Sequence, residues 1–261
     1  MSRTLPHPAA KPGFRESFNQ LKQAQKSRKG VPLYLLWVNR PAGRVVAAAL
    51  RNTRIRPNHV TFAGAVLTYG SLLWLAFGAT AAPVSALAGV LLALGYVLDS
   101  ADGQLARLQG RSSAYGEWLD HILDNGRIAV MHVAAFCFLA RNTDYPVLLL
   151  AGCTGAFLVA SSTIFFGGAL LDQLRRNAAR GSDGPAGSTG PDRPAGPQDG
   201  RRQMRRSVIT LPVDYGMTCL AFLLLPWPDV FLVVYAVLAG AHVLMCAAFL
   251  PKWRSELLRL S

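Results

Sequence analysis

The sequence predicts an all-α membrane protein: six transmembrane helices preceded by an N-terminal amphipathic interfacial helix. Three observations carry that prediction. The 261 residues are 51% hydrophobic and only 16% charged, where soluble domains usually carry about 25% charged residues. Asp, Glu, Lys and Arg are absent from Pro57 to Leu98, from Tyr145 to Leu171 and from Val230 to Pro251. About 20 apolar residues cross the hydrocarbon core as a helix, so these runs hold at least four spans. The basic residues, finally, gather in alternate connections. Twelve Lys and Arg precede Asn58, eight Arg fall between Arg175 and Arg206, and three basic residues follow Pro251.

Each element follows in order. Residues 1–30 form a polar, basic tail, disordered at first and then weakly helical, without the apolar core of a signal peptide. Over 31–56 apolar residues recur among Arg40, Arg44 and Arg51, with Pro41 breaking the segment. It is too charged to span and fits a helix lying in the interface. The membrane domain covers 57–250. Its spans are expected at about 57–79, 83–105, 115–139, 146–171, 207–225 and 230–250. Residues 177–200, rich in Gly, Pro, Ala, Ser and Asp, cannot bury enough apolar surface to order themselves and read as a flexible cytoplasmic loop. Residues 251–261 form a cytoplasmic tail. An even number of spans places both termini on the basic, cytoplasmic side of the cell membrane.

The net charge of +13 raises the question of nucleic acid. The alternation of basic connections points instead to topology and contact with anionic lipid, so the lipid bilayer is an expected partner and nucleic acid is not. Cys137, Cys153, Cys219 and Cys246 all lie in apolar stretches with no CxxC pair and read as small buried hydrophobes.

Against this background the carboxylates between Tyr96 and Arg127 stand out, because ionisable residues in membrane segments are costly and mark function. Asp99 and Asp102 are three apart, Asp120 and Asp124 four apart, so each pair shares a helical face. A short turn around Gln109–Ser113 makes their helices antiparallel neighbours, and the two pairs can face each other near the cytoplasmic surface. Four carboxylates at close range need protons or cations. Oxygen-only ligands select hard ions, Mg²⁺ or Mn²⁺, and two such ions can clamp the attacking and leaving oxygens of a phosphoryl group. Gly103 lets a ligand approach the helix backbone, Arg107 is placed to hold a phosphate through its planar fork, and Gly116 leaves the cleft open. A non-catalytic or transport protein binding divalent cations is the rival. Transport sites favour the midplane, whereas these carboxylates lie near helix ends, and Arg107 would repel a passing cation.

The pattern Asp99-x-x-Asp102-Gly103-x-x-Ala106-Arg107, eight residues, then Gly116-x-x-x-Asp120-x-x-x-Asp124 resembles the signature of the CDP-alcohol phosphatidyltransferases at every fixed position. The segment Arg56 to Thr61, RPNHVT, is similar to the Pro-Asn-x-x-Thr that opens the first span in many members. The resemblance covers roughly 31–250, with its specific part in 54–127. It implies that Asp99, Asp102 and Asp120 are metal ligands and that Asp124 is both a ligand and the general base. It also implies that Asn58, Thr61, Gly103, Ala106, Arg107, Ser113 and Gly116 hold the CDP group. The implied reaction moves a substituted phosphate from a CDP-alcohol, such as CDP-diacylglycerol, to an acceptor alcohol with release of CMP, in phospholipid biosynthesis. The acceptor is not written in the motif, and the nearby basic residues favour a phosphorylated one. A homodimer is implied as well.

Other residues carry weaker signals. Arg127 either neutralises Asp124 or binds an anionic group on the acceptor. Asp214 is either an acceptor-site residue or a helix cap after Pro212. His121 points about 100° away from Asp120 around the helix, and His132 and His242 read as structural. Trp37, Trp227 and Trp253 read as interfacial belts, and Gly152, Gly155, Gly167 and Gly168 as sites of close helix packing.

Overall fold

In the computed structural model, residues 12–23, 33–78, 82–182 and 210–259 are described. Residues 1–11, 24–32, 183–209 and 260–261 lie outside them, with most of the predicted tails, most of the 177–200 segment and the start of the predicted fifth span. The described residues are helical throughout: α1 (Phe14–Gln23), α2 (Arg40–Leu50), α3 (Pro57–Phe77), α4 (Ala82–Gln109), α5 (Ala114–Asn142), α6 (Val147–Ser182), α7 (Tyr215–Ala221) and α8 (Pro228–Leu257). Among them α3, α4, α5, α6 and α8 are long and apolar enough to cross a membrane. Their outward faces carry large apolar side chains, such as Val66, Phe77, Leu148 and Leu244, each more than two-thirds exposed. That surface suits lipid rather than water.

The predicted fifth span differs. Its described part is a short apolar stretch, Tyr215–Leu224, entered through a 3₁₀ turn at Leu211–Val213 and left through another at Phe222–Leu224. Pro212 and Pro226 bracket it and prevent a longer helix. Two other boundaries also move. Helix α6 continues to Ser182, six residues into the segment read as a loop, because Asn177-Ala178-Ala179-Arg180 still favours helix over coil. Pro41 does not break the interfacial segment. It sits in the first turn of α2, directly after a π-helical turn, Leu35–Asn39, in which the Arg40 N–H donates to the Leu35 carbonyl. The widened turn makes room for the proline ring, which in a continuous α-helix would press on the carbonyl four residues back.

Helix α4 is the central element and packs against α2, α3 and the 3₁₀ turn after α7. Its contact with α3 is backbone on backbone. A methyl group built at Gly64 would lie 3.3 Å from the Gly95 carbonyl oxygen, and one at Gly95 would lie 3.2 Å from the Gly64 carbonyl oxygen and overlap the Thr68 hydroxyl. Helix α2 is fastened to α4 by Asn39 Nδ2, which donates to the Tyr96 carbonyl at 2.9 Å, and by Gln104 Nε2, which donates to the Arg40 carbonyl at 3.1 Å. Helix α4 ends where Gly110 adopts φ +62°, and the Arg111 N–H returns to the Ala106 carbonyl at 2.8 Å. This is a left-handed termination that glycine adopts without strain. Ser113 then caps α5, its Oγ accepting from the Gly116 N–H at 3.1 Å.

Two apolar clusters flank the middle of α4. The larger joins Leu72, Leu92, Phe138, Phe157, Phe222, Phe231 and Tyr235. The smaller joins Leu21, Ala47, Val60, Ala101, Leu105 and Leu108, so the N-terminal helices cover the C-terminal end of α4. Tyr96 and Asp99 fall between the two. His132 and His242 are buried in the larger region, His132 Nδ1 paired with the Tyr235 hydroxyl at 2.5 Å and His242 Nδ1 with the Leu238 carbonyl at 2.9 Å, which agrees with structural roles. All four cysteines are unpaired. The glycines of α6 do not behave alike: Gly167 meets the Trp253 ring, whereas nothing comes within 4 Å of a methyl group at Gly152, Gly155 or Gly168. Those three pack against no other helix of this chain among the described residues.

Arg141, the lone arginine of its connection, closes the far end of α3. Its Nη1 and Nη2 donate to the carbonyls of Ala76 and Leu75, carbonyls that no later turn of helix satisfies. Arg141→Gln is expected to cost about 1–3 kcal/mol of stability, read as a lower unfolding temperature in detergent with unchanged activity in the folded fraction.

Candidate active site

The motif residues converge where the N-terminal end of α3, the C-terminal end of α4 and the N-terminal half of α5 meet. Carboxylate oxygens of Asp99, Asp120 and Asp124 lie within 4.8 Å of one another. They come from two antiparallel helices, as the three- and four-residue spacings predict. Asp102 is not one of this trio. Its Oδ2 accepts from the Thr61 hydroxyl at 2.5 Å and its Oδ1 from the Gly103 N–H at 2.5 Å. One bond ties it to α3 and the other to its own helix.

A cation already lies beside the trio. Arg127 is buried; its Nη1 is 3.5 Å from Asp99 Oδ1, and its Nη2 pairs with Asp124 Oδ1. The guanidinium lies over the Tyr215 ring at 4.2 Å and near the Tyr96 ring at 5.7 Å. Of its two sequence readings, the geometry therefore favours neutralisation of Asp124. Asp214 caps α7, its Oδ1 accepting from the Gly216 N–H at 2.9 Å, as the cap reading expects. It also accepts from the Leu35 N–H at 3.0 Å and from the Tyr96 hydroxyl at 3.4 Å, joining the π turn, α4 and α7 beneath the site.

Two cavities open on the carboxylates. The first, about 550 Å³, is lined by Asn58, Thr61, Ala106, Ser113 and Gly116 together with Arg111, Glu117, His121, Asp172 and Arg176. The second, about 440 Å³, is lined by Asp99, Asp124, Arg127, Asn39, Arg40, Tyr96 and Tyr215. Asp102, Gly103, Arg107 and Asp120 border both. Every residue assigned to metal or to the CDP group thus borders one cavity or both, whereas Asp214, the other acceptor-site candidate, borders neither. His121 faces the first and packs edge-on near Phe165, ring centroids 6.0 Å apart.

Sequence reasoning missed several residues. Tyr96 lies one turn before Asp99 and shares its face, so its place was readable. Tyr215 and Asn39 come from distant segments with no local signal. Asp172 and Arg176, toward the C-terminal end of α6, also line the first cavity, and Arg176 Nη1 comes within 3.6 Å of Glu117 Oε1.

The donor set of the trio is carboxylate oxygen alone, close enough for shared coordination, and it fits a hard divalent ion such as Mg²⁺ or Mn²⁺. Comparisons with known proteins identify relatives of this chain. A bifunctional IPC transferase and DIPP synthase of Aquifex aeolicus is 35% identical over 119 residues, 46% of this chain and 26% of that protein. Its namesake from Thermococcus kodakarensis is also 35% identical over 119 residues, 44% of this chain and 26% of that protein. An archaetidylinositol phosphate synthase of Aeropyrum pernix is 33% identical over 115 residues, 44% of this chain and 54% of that protein. The aligned parts are thus about a quarter to a half of these relatives' lengths. The sequence profile of CDP-alcohol phosphatidyltransferase matches residues 54–249. That match runs unbroken from the approach to α3 into the last apolar helix, with all four aspartates inside it, and the chain belongs to the CDP-alcohol phosphatidyltransferase family.

Proposed function

We propose that this chain transfers a phosphatidyl group from CDP-diacylglycerol to the hydroxyl of a phosphorylated alcohol, releasing CMP at the cytoplasmic face of the membrane. The observation that carries the proposal is the division of the motif between the two cavities. Five of the residues assigned to the CDP group, Asn58, Thr61, Ala106, Ser113 and Gly116, line the first and not the second, whereas Asp124 lines the second and not the first; a third cavity, of about 20 Å³, touches both Thr61 and Asp124. A donor in the first cavity and an acceptor in the second would meet where Asp102, Gly103, Arg107 and Asp120 border both. The acceptor hydroxyl gives its proton to the Asp124 carboxylate. Its oxygen forms a bond to the phosphorus that carries the diacylglycerol, the bond from that phosphorus to the CMP oxygen breaks, and Arg107 holds the departing phosphate through its fork. Thr61 fixes the orientation of Asp102 at the junction. Two divalent ions, held among Asp99, Asp102, Asp120 and Asp124, supply when bound the positive charge that a pyrophosphate needs.

A phosphorylated acceptor is supported by Arg40 and Arg107 on the walls of the second cavity and by the name of one relative, an archaetidylinositol phosphate synthase. The cytoplasmic orientation is supported by the clustering of basic residues before Asn58, between Arg175 and Arg206 and after Pro251, of which Arg40 and Arg176 border the two cavities.

The test is CMP formation by the purified chain with CDP-diacylglycerol, Mg²⁺ or Mn²⁺, and a panel of free and phosphorylated alcohols. CMP is expected only with an acceptor, only with metal, and fastest with a phosphorylated alcohol. EDTA should lower the rate at least a hundredfold and added Mn²⁺ restore it. Faster reaction with uncharged alcohols would remove the acceptor assignment, and no CMP with any acceptor would remove the donor assignment.

A further inference from the structure

The geometry assigns Arg127 the role of a resident cation in the carboxylate cluster, a positioning residue that orders Asp99 and Asp124 and sets how tightly the cluster takes a divalent ion. The inference rests on the metal reading of Asp99, Asp120 and Asp124 and goes beyond the family signature, which ends at Asp124.

Three observations support it. The ion pairs of Arg127 reach two of the three carboxylates, Asp99 on α4 and Asp124 on α5, so it bridges the helices that carry the cluster. It is 8% exposed, and a guanidinium does not lose its proton in a protein, so its charge is permanent. It also lies on a built platform. Tyr96 and Tyr215 meet edge to face at 4.8 Å, and Asp214 fixes both, Tyr96 through its hydroxyl and Tyr215 as the first residue of the helix it caps. The guanidinium carbon lies over the Tyr215 ring, 4.2 Å from its centroid, a contact that a lysine ammonium does not reproduce.

The effects oppose each other, which makes the role testable. Close carboxylates repel one another, and Arg127 holds two of them in register before any ion arrives. The same positive charge repels an incoming divalent ion. Removing it should therefore tighten metal binding while loosening the geometry that turnover needs.

The experiment measures Mn²⁺ binding by electron paramagnetic resonance on the full chain in detergent, alongside kcat and KM for CDP-diacylglycerol. Arg127→Gln is expected to bind Mn²⁺ roughly tenfold more tightly, with kcat at saturating Mn²⁺ lowered on the order of 10- to 100-fold and donor KM within about twofold of wild type. Arg127→Lys keeps the charge but not the fork or the stacking, so Mn²⁺ affinity should stay within about threefold while kcat still falls. Weaker or unchanged Mn²⁺ binding in Arg127→Gln overturns the assignment. Should that variant not fold, unchanged kcat in Arg127→Lys overturns it instead. A wild-type chain that binds no Mn²⁺ removes the metal reading and this inference together, whereas wild-type binding with no change in the variants removes this inference alone.

Discussion

Asp124→Asn is expected to lower acceptor-dependent CMP release at least a hundredfold, the effect of removing a general base. The substitution preserves shape, and the amide oxygen can still accept from Arg127, so the helices should stay in place. The substitution removes the capacity to take the acceptor proton and also one charged ligand for the ions, so kcat is compared at saturating Mn²⁺. Because Asp124 lines the second cavity and not the first, KM for CDP-diacylglycerol should change little while kcat collapses. A loss smaller than tenfold would show that the proton goes elsewhere. Asp120, which borders both cavities, would then be the next carboxylate to examine.

Gly95→Val is expected to be comparably damaging for a different reason. Gly95 lies four residues before Asp99 on α4, against Gly64 and Thr68 of α3. A branched side chain there forces the two helices apart, which costs about 1–3 kcal/mol as overpacking. The separation also carries Asp102 away from Thr61, whose 2.5 Å hydrogen bond spans the same pair of helices. Displacements near 1 Å at a reacting centre can cost on the order of a hundredfold in rate. The expected result is a lower unfolding temperature together with a fall in CMP release that persists below it. Full activity in the folded fraction would show that the α3–α4 spacing does not set the site.

What could be read from the sequence was what depends on local spacing. Asp99, Asp120 and Asp124 meet because three- and four-residue steps keep side chains on one helical face, and because the turn at Gly110 returns the chain antiparallel. The long apolar runs became helices of nearly the predicted extent for the same reason. Properties arising between distant segments were not readable. Asp102 belongs to the motif by spacing, yet Thr61, 41 residues earlier, draws its carboxylate out of the trio. The platform beneath Arg127 needs Tyr215, far along the chain, and the short helix that carries it is cut at both ends by prolines that a hydropathy run averages over. The length of α6 was missed because a low-complexity composition begins before the helical propensity ends.

The π-helical turn at Leu35–Asn39 has a consequence for how the N-terminal segment is read. Each residue of an α-helix advances the side-chain direction by 100°, so one additional residue in a turn shifts the phase of everything before it. Downstream of the turn, Gly43 and Ala47 point at α4. Upstream, Tyr34 lies parallel to the Tyr96 ring at 6.3 Å, and the Leu35 N–H reaches Asp214. A helix of uniform period could not bring both sets to the same wall. Among the described residues, Tyr34 and Leu35 on one side of the turn are out of phase with Gly43 and Ala47 on the other, and a single-residue deletion within 35–39 would realign them at the expense of one contact set.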